Sequence, residues 1–227
     1  MNSSNESDAW DRYWKSGEST SKVNKIYGNV ASFYRNRIIG PNLRRKLEHY
    51  FVEDATLLHA GCGGGEVDLF VPSSMMVYGI DISEEAIISY KKNNPQFHSR
   101  VMSIFDLPSN LPQFDGIYNL GVMEHFSSIE VQQVLESFYL ALKPGARVIL
   151  FWPPKFGLSV IALKIIHFIL KLFQGKKFVP LHPDEPNKIG GARSAKKVFE
   201  NSGFKFEHYS FGIRDAFTYA TLVAVKV

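Results

Sequence analysis

The run Leu57-Leu58-His59-Ala60-Gly61-Cys62-Gly63-Gly64-Gly65-Glu66 constrains this chain most, because a short apolar stretch stops there in four glycines within five residues. Apolar residues bounded by glycine read as a buried parallel strand ending in a tight turn, since glycine reaches positive φ at little cost and lets backbone approach a ligand. A second apolar run, Met75-Met76-Val77-Tyr78-Gly79-Ile80-Asp81, ends in an acid about twenty residues after the first glycines, where a nucleotide-fold carboxylate accepts bonds from ribose hydroxyls. Glycine turn and acid together point to a nucleoside ligand.

Spacing narrows the ligand further. A dinucleotide fingerprint needs Gly-x-Gly-x-x-Gly so that a helix N-terminus meets pyrophosphate. Counted from Gly61 and Gly63, the third position is Glu66, whose charge would repel a phosphate. No Lys-Ser or Lys-Thr follows the glycines, so the phosphate-cradling loop is absent as well. A cationic, phosphate-free nucleoside fits better.

Four ordered segments now stand together: Leu58 to Glu66, Asp81, Phe114-Asp115-Gly116-Ile117-Tyr118-Asn119-Leu120-Gly121-Val122-Met123-Glu124-His125, and Leu142-Lys143-Pro144-Gly145-Ala146-Arg147-Val148-Ile149-Leu150. In that order they resemble the class I S-adenosylmethionine-dependent methyltransferases, closely over about Glu53 to Phe151 and more loosely in the C-terminal strands. The resemblance implies an α/β fold with a Rossmann-like, seven-stranded, mostly parallel sheet, helices on both faces and the last strand antiparallel beside the fifth. It also implies S-adenosyl-L-methionine as cofactor. Carried over position by position, it implies cofactor contacts at His59, Gly61, Cys62, Gly63, Gly65, Asp81 and Ile82, with Asp106 facing the adenine amino group and Asn119 and Gly121 lining the methionine end. His59 is a departure, because the family usually carries Asp or Glu there.

At 227 residues the chain is long enough for one α/β domain with a full core and an added lid. The expected division is a disordered tail (1–8), an N-terminal helical cap (9–52), the cofactor-binding core (53–151), a helical insertion (152–193) and a closing helix with two strands (194–227). Val30 to Ile39 and Leu43 to Phe51 read as two helices separated by Gly40-Pro41, and the third strand is expected on the way to Ile104-Phe105-Asp106-Leu107-Pro108. Phe204 to Phe211 and Ala216 to Val227 read as the closing strands. The single cysteine excludes an internal disulfide and fits a reducing compartment. The polar, acidic start cannot act as a secretory signal, so a cytoplasmic location is expected.

A net charge of +4 leaves an anionic membrane or nucleic acid open as partners. Base-amino nucleic-acid methyltransferases, however, carry Asn or Asp followed by Pro-Pro and an aromatic after the fourth strand, where this chain reads Asn119-Leu120-Gly121-Val122. Nucleic acid is therefore disfavoured, and aminopropyl transferases fall with it because the Asp they need after that strand is missing. The expected acceptor is a small molecule or a lipid- or glycan-linked intermediate, methylated at oxygen. A domain that binds the cofactor without transferring its methyl is the alternative. Sequence does not specify the oligomeric state.

Methyl transfer from a sulfonium is an in-line displacement with an activated leaving group, so positioning and exclusion of water supply much of the acceleration. An oxygen acceptor must still lose a proton, a task suited to a neutral histidine. His125, just past the fourth strand, is the first candidate base. His182 is the second, on a proline-bounded loop with Asp184 and Glu185, whose spacing matches no metal signature, so no metal is expected. The aromatics Trp10, Tyr13, Trp14, Tyr27, Phe33 and Tyr34 precede the core; by resemblance Trp14 and Tyr27 join Trp152, Asp184 and Glu185 around the acceptor, while packing of an extra helix explains the same aromatics. Leu158 to Phe173 is almost wholly apolar, with Lys164, His167, Lys171 and Gln174 recurring at steps of three and four. Too short and charged to span a bilayer, it reads equally as an interfacial helix giving peripheral membrane contact, a lid, or a dimer contact.

Overall fold

The computed structural model of the protein describes residues 7–8, 10–12, 14, 32–108, 111, 113–158 and 186–227. Its centre is a seven-stranded sheet of order β3-β2-β1-β4-β5-β7-β6. The strands are β1 (Thr56–Ala60), β2 (Met76–Asp81), β3 (His98–Val101), β4 (Phe114–Leu120), β5 (Leu142–Trp152), β6 (Phe204–Ser210) and β7 (Ala220–Lys226). The first five pair in parallel, and β7 enters antiparallel between β5 and β6. Strand order reverses between β1 and β4, the place where open α/β sheets bind ligands beyond their carboxyl ends.

Period-2 alternation sorts the core onto two faces. Leu58, Ile80, Ile117, Val148, Leu150 and Leu222 pack with Val131, Val134, Leu135 and Phe138 of one helix (α3, Ser128–Ala141) and Phe199 of another (α4, Ala192–Asn201). On the opposite face, Leu57, Val77, Tyr118, Ile149 and Val223 meet Leu43 and Leu47 of α1 (Gly40–Tyr50). The helix starts follow local chemistry. Ser83 accepts from the Ala86 N–H at the head of α2 (Glu84–Asn93), with Glu84 and Glu85 in the positive first turn. Ser127 and Glu130 form a reciprocal capping box at the head of α3.

Three expectations shift. Gly40-Pro41 does not separate two helices: a π-helical turn over Arg35–Ile39 runs straight into α1, and the Gly40 N–H reaches back to the Arg35 carbonyl. Pro41 falls at the first turn of α1, where its missing N–H costs little. The third strand is His98–Val101, and Ile104 to Asp106 bend away after it. The last strand starts at Ala220, because Ile213–Asp215 make a 3-10 turn and Ala216 and Phe217 take positive φ. Asp215 anchors that turn from a buried position, accepting from Asn42 Nδ2 at 2.6 Å and Thr221 Oγ1 at 3.2 Å. No helix among the described residues is long and apolar enough to cross a membrane.

Candidate cofactor and methyl-transfer site

Beyond β1 the chain turns through Gly61, Gly63 and Gly65, all at positive φ. The N–H groups of Gly61 and Cys62 donate to the Ile80 carbonyl at 2.8 and 2.9 Å, and Gly63 N–H donates to Asp81 Oδ2 at 2.9 Å. The other oxygen of Asp81 accepts from Ser83 N–H at 2.9 Å. Loop and acid thus form one hydrogen-bonded unit. Burial raises the Asp81 carboxyl above its ordinary value, opposed by the two backbone donors and by His59. Burial also pushes the Cys62 thiol well up, which keeps it protonated and unreactive.

The turn tolerates no side chain. A Cβ at Gly65 would stand 2.4 Å from both Tyr90 and Asn94, in a left-handed conformation. Gly65→Ala is expected to cost about 2–4 kcal/mol, from left-handed strain plus overpacking. A thermal melt checks this; a midpoint equal to wild type would show that the loop relaxes freely.

His59 faces away from bulk solvent, and an acid is found beside it after all. Its Nδ1 lies 2.9 Å from Asp68 Oδ2, and the same carboxylate accepts from Tyr90 OH at 2.6 Å and Tyr118 OH at 2.8 Å. Asp68 comes from the 3-10 turn Glu66–Phe70 that follows the glycines. Burial, and then the adjacent Asp68 charge, hold both phenols above their usual range, so they remain donors. The His59 ring also stacks on Tyr118, centroids 4.5 Å apart.

At the carboxyl end of β4, Asn119 is fully buried and donates through Nδ2 to the Ala60 carbonyl at 2.7 Å. Its Oδ1 is buried with no hydrogen-bond partner among the described residues. Gly121 follows at φ 69, and among the described residues a Cβ there would meet only Glu124 Oε1 and Tyr219 OH, each at 3.5 Å. This leaves an open step in the backbone bordered by a carboxylate and a phenol. Tyr219 stacks with Tyr34, whose hydroxyl is hydrogen-bonded to Thr218. His125 lies in the next turn, Met123–His125, with the Trp10 ring edge-on at 5.0 Å.

Ser7, Asp11 and Trp14, among the few described residues before 32, lie against the loop and the segment after β2. Trp14 touches the backbone of Gly63 and Gly64, Asp11 is hydrogen-bonded to Ser83, and Ser7 Oγ donates to the Ile82 carbonyl. Arg35 pairs with Glu66. Asp106 sits in the bend after β3, beside Phe105, which packs edge-on to Phe126. Trp152 is in the core, its indole N–H donating to the Asn187 carbonyl at 3.0 Å.

The fold therefore joins the glycine turn to Asp81, lays Trp14 against Gly63 and Gly64 and Ser7 against Ile82, and sets Asn119, Gly121 and His125 at the end of the neighbouring strand. Tyr27, His182, Asp184 and Glu185 lie outside the described residues, as do residues 159–173. Sequence reasoning missed Asp68, Tyr90 and Tyr118 under the loop and Glu124 and Tyr219 at the step. The expected entry of the last strand beside β5 could have pointed to Tyr219, which stands just before that strand.

The residues present fit a cationic nucleoside. The glycine turn leaves backbone open to close approach, Asp81 offers a carboxylate, and the Asn119 amide oxygen awaits a donor. Residues 58–150 match the family model described as a methyltransferase domain. A ubiquinone/menaquinone biosynthesis C-methyltransferase, UbiE, of Geotalea daltonii is 24% identical over 234 residues, covering 90% of this chain and 98% of that protein. Among solved structures, the magnesium protoporphyrin IX methyltransferase of Synechocystis with bound SAH superposes with a TM-score of 0.62 at 21% identity, covering 99% of this chain and 96% of that one. Human N-acetylserotonin methyltransferase in complex with SAM gives 0.60 at 16% identity, over 89% of this chain and 55% of that one. The methyltransferase-domain match spans the same strands that build the switch-point site, and residues 58–150 accordingly form a domain of the S-adenosylmethionine-dependent methyltransferase kind, on a fold shared with the solved methyltransferases.

Proposed function

We propose that this enzyme methylates an oxygen of a hydrophobic small molecule or of a lipid- or glycan-linked acceptor. The observation that carries the reading is the open step at Gly121, with Glu124 and Tyr219 on its border and His125 in the following turn. The cofactor supplies a methyl group already activated on a sulfonium. Asp81 receives its ribose hydroxyls, Asp106 its adenine amino group, and the backbone from Gly61 to Gly65 with Ile82 encloses the nucleoside. Asn119 and Gly121 hold the methionine end. His125, in its neutral form, takes the proton that the acceptor hydroxyl gives up. Trp10, Trp14 and Tyr34 exclude water, with residues 9–52 acting as a cap and 152–193 as an insertion over the acceptor of one methyltransferase domain.

The proteins similar to this chain are named for quinone biosynthesis and for a protoporphyrin, which supports an acceptor of low polarity. The name of the UbiE relative also favours a second reading, methylation at carbon. Transfer of labelled methyl into cell extract, counted separately in organic and aqueous phases and followed by mass spectrometry of the product, distinguishes the two. A methyl on carbon would replace the oxygen reading. His125→Asn is expected to lower kcat by about 10²–10⁴-fold, the usual contribution of a positioned base, with cofactor affinity unchanged. An unaltered kcat would remove His125 from the chemistry.

A further inference from the structure

The chain leaves β5 and enters β7 side by side, Trp152 pairing with Ala220, so the segments 153–158 and 211–219 project together from the carboxyl edge of the sheet. They are tightly joined. Leu158 N–H donates to the Phe217 carbonyl at 2.6 Å, and a Cβ at Gly157 would come within 2.8 Å of the Thr218 carbonyl. Phe211 holds Phe156 and Phe217 edge-on, at centroid distances of 5.5 and 5.7 Å.

This preformed pair of loops turns its apolar groups outward. Ile213 is 85% exposed, Phe156 54%, Leu158 52% and Phe217 42%. Phe217 is also held at φ 55, in the left-handed region that bulky side chains avoid. Burial among the described residues does not account for the arrangement. The charges are equally one-sided: Lys155 and Arg214 are exposed beside the apolar group, while Asp215, the sole carboxylate in the two segments, is buried and hydrogen-bonded. In sequence, the chain beyond Leu158 continues the same composition, apolar with Lys164, Lys171, Lys176 and Lys177 and without an acid before Asp184. Tyr219, two residues after Phe217, borders the step at Gly121.

We propose that Phe156, Leu158, Ile213 and Phe217, flanked by Lys155 and Arg214, form a docking surface for an anionic bilayer. Apolar side chains enter the headgroup boundary while the cations meet lipid phosphates, a combination that gives reversible binding sensitive to salt and lipid charge. Resting on the proposed low-polarity acceptor, the surface sets the methyl-transfer step beside the membrane, so that acceptor reaches it without crossing water. A second copy of the chain fits less well, because two such surfaces would oppose cation to cation.

The test is co-sedimentation of the full-length protein with phosphatidylcholine vesicles, with and without about one-third phosphatidylglycerol, at low and high salt. Wild type is expected to partition at least about tenfold more strongly onto the anionic vesicles, and high salt to release it. Ile213→Asp combined with Arg214→Glu is expected to lose about tenfold or more of that binding, with cofactor affinity, measured by calorimetry, unchanged as proof of an intact fold. Wild type that stays in the supernatant, or a double variant that binds like wild type, overturns the proposal; so does a dimer that Ile213→Asp dissociates, in the absence of vesicle binding. The acceptor reading fails separately: vesicle binding with methyl label only in the aqueous phase of extract sinks it and leaves the docking surface standing.

Discussion

Asp81→Ala is expected to weaken S-adenosylmethionine binding by about 10²–10³-fold, since the role proposed for Asp81 is lost with it: charge-assisted bonds to two ribose hydroxyls. Isothermal calorimetry reads this directly. The substitution also frees the N–H groups of Gly63 and Ser83, both of which Asp81 accepts from at 2.9 Å, so the glycine loop loses the tie that sets its shape. Asp81→Asn separates the two effects, keeping an acceptor for one N–H while removing the charge. Acidification should imitate it. Burial raises the Asp81 carboxyl, the ionised form is the one that accepts, and affinity is therefore full above that raised value and falls as pH drops through it, earlier than for an ordinary aspartate. Wild-type affinity in Asp81→Ala would undo the nucleoside assignment made from the sequence.

Asp68→Ala has the second large effect, on stability. Its carboxylate is the common acceptor for His59, Tyr90 and Tyr118, which come from β1, α2 and β4 and are themselves buried. Removing it strands these polar groups where water cannot reach, a cost of about 3–5 kcal/mol. For a chain of this size that corresponds to a fall in Tm of roughly 10 °C. Differential scanning calorimetry decides it: a fall of only about 2 °C, one kcal/mol or less, would mean that water enters and replaces the carboxylate.

Whatever the chain encodes within a few residues was legible. The glycines at 61 to 65 and the acid ending β2 act over short spans, and the structure puts each where its chemistry predicted; the Ser127–Glu130 box, equally local, was not read from the sequence. The methyltransferase assignment followed from them, and with it the non-catalytic alternative gives way to an enzyme. Asp68 was not legible, because nothing near it in sequence distinguishes it from a solvent-facing acid in a short helix. Its partners are 9, 22 and 50 residues away and converge only once the sheet has formed. Gly40-Pro41 misled for the opposite reason: a strong local breaker was absorbed by a π-helical turn that only the packing of Ile39 and Leu43 into the core explains. Tyr219 was hidden by a turn whose geometry depends on the long-range bond from Asn42 to Asp215.

The placement of β7 between β5 and β6 has a consequence for how the molecule comes into being. β6 precedes β7 in the chain yet has no other neighbour in the sheet, so it stays unpaired until the last strand arrives. β6 and β7 pair locally, as a hairpin, whereas β7 meets β5 across a far longer stretch of chain, from Trp152 to Ala220, and that pairing carries the higher loop-closure cost. The parallel strands that carry the glycine loop and Asp81 do not depend on that event, whereas Tyr219, at the threshold of β7, takes its position only through it. A side chain at the border of Gly121 is thus fixed by the strand pairing that spans the most sequence in the sheet.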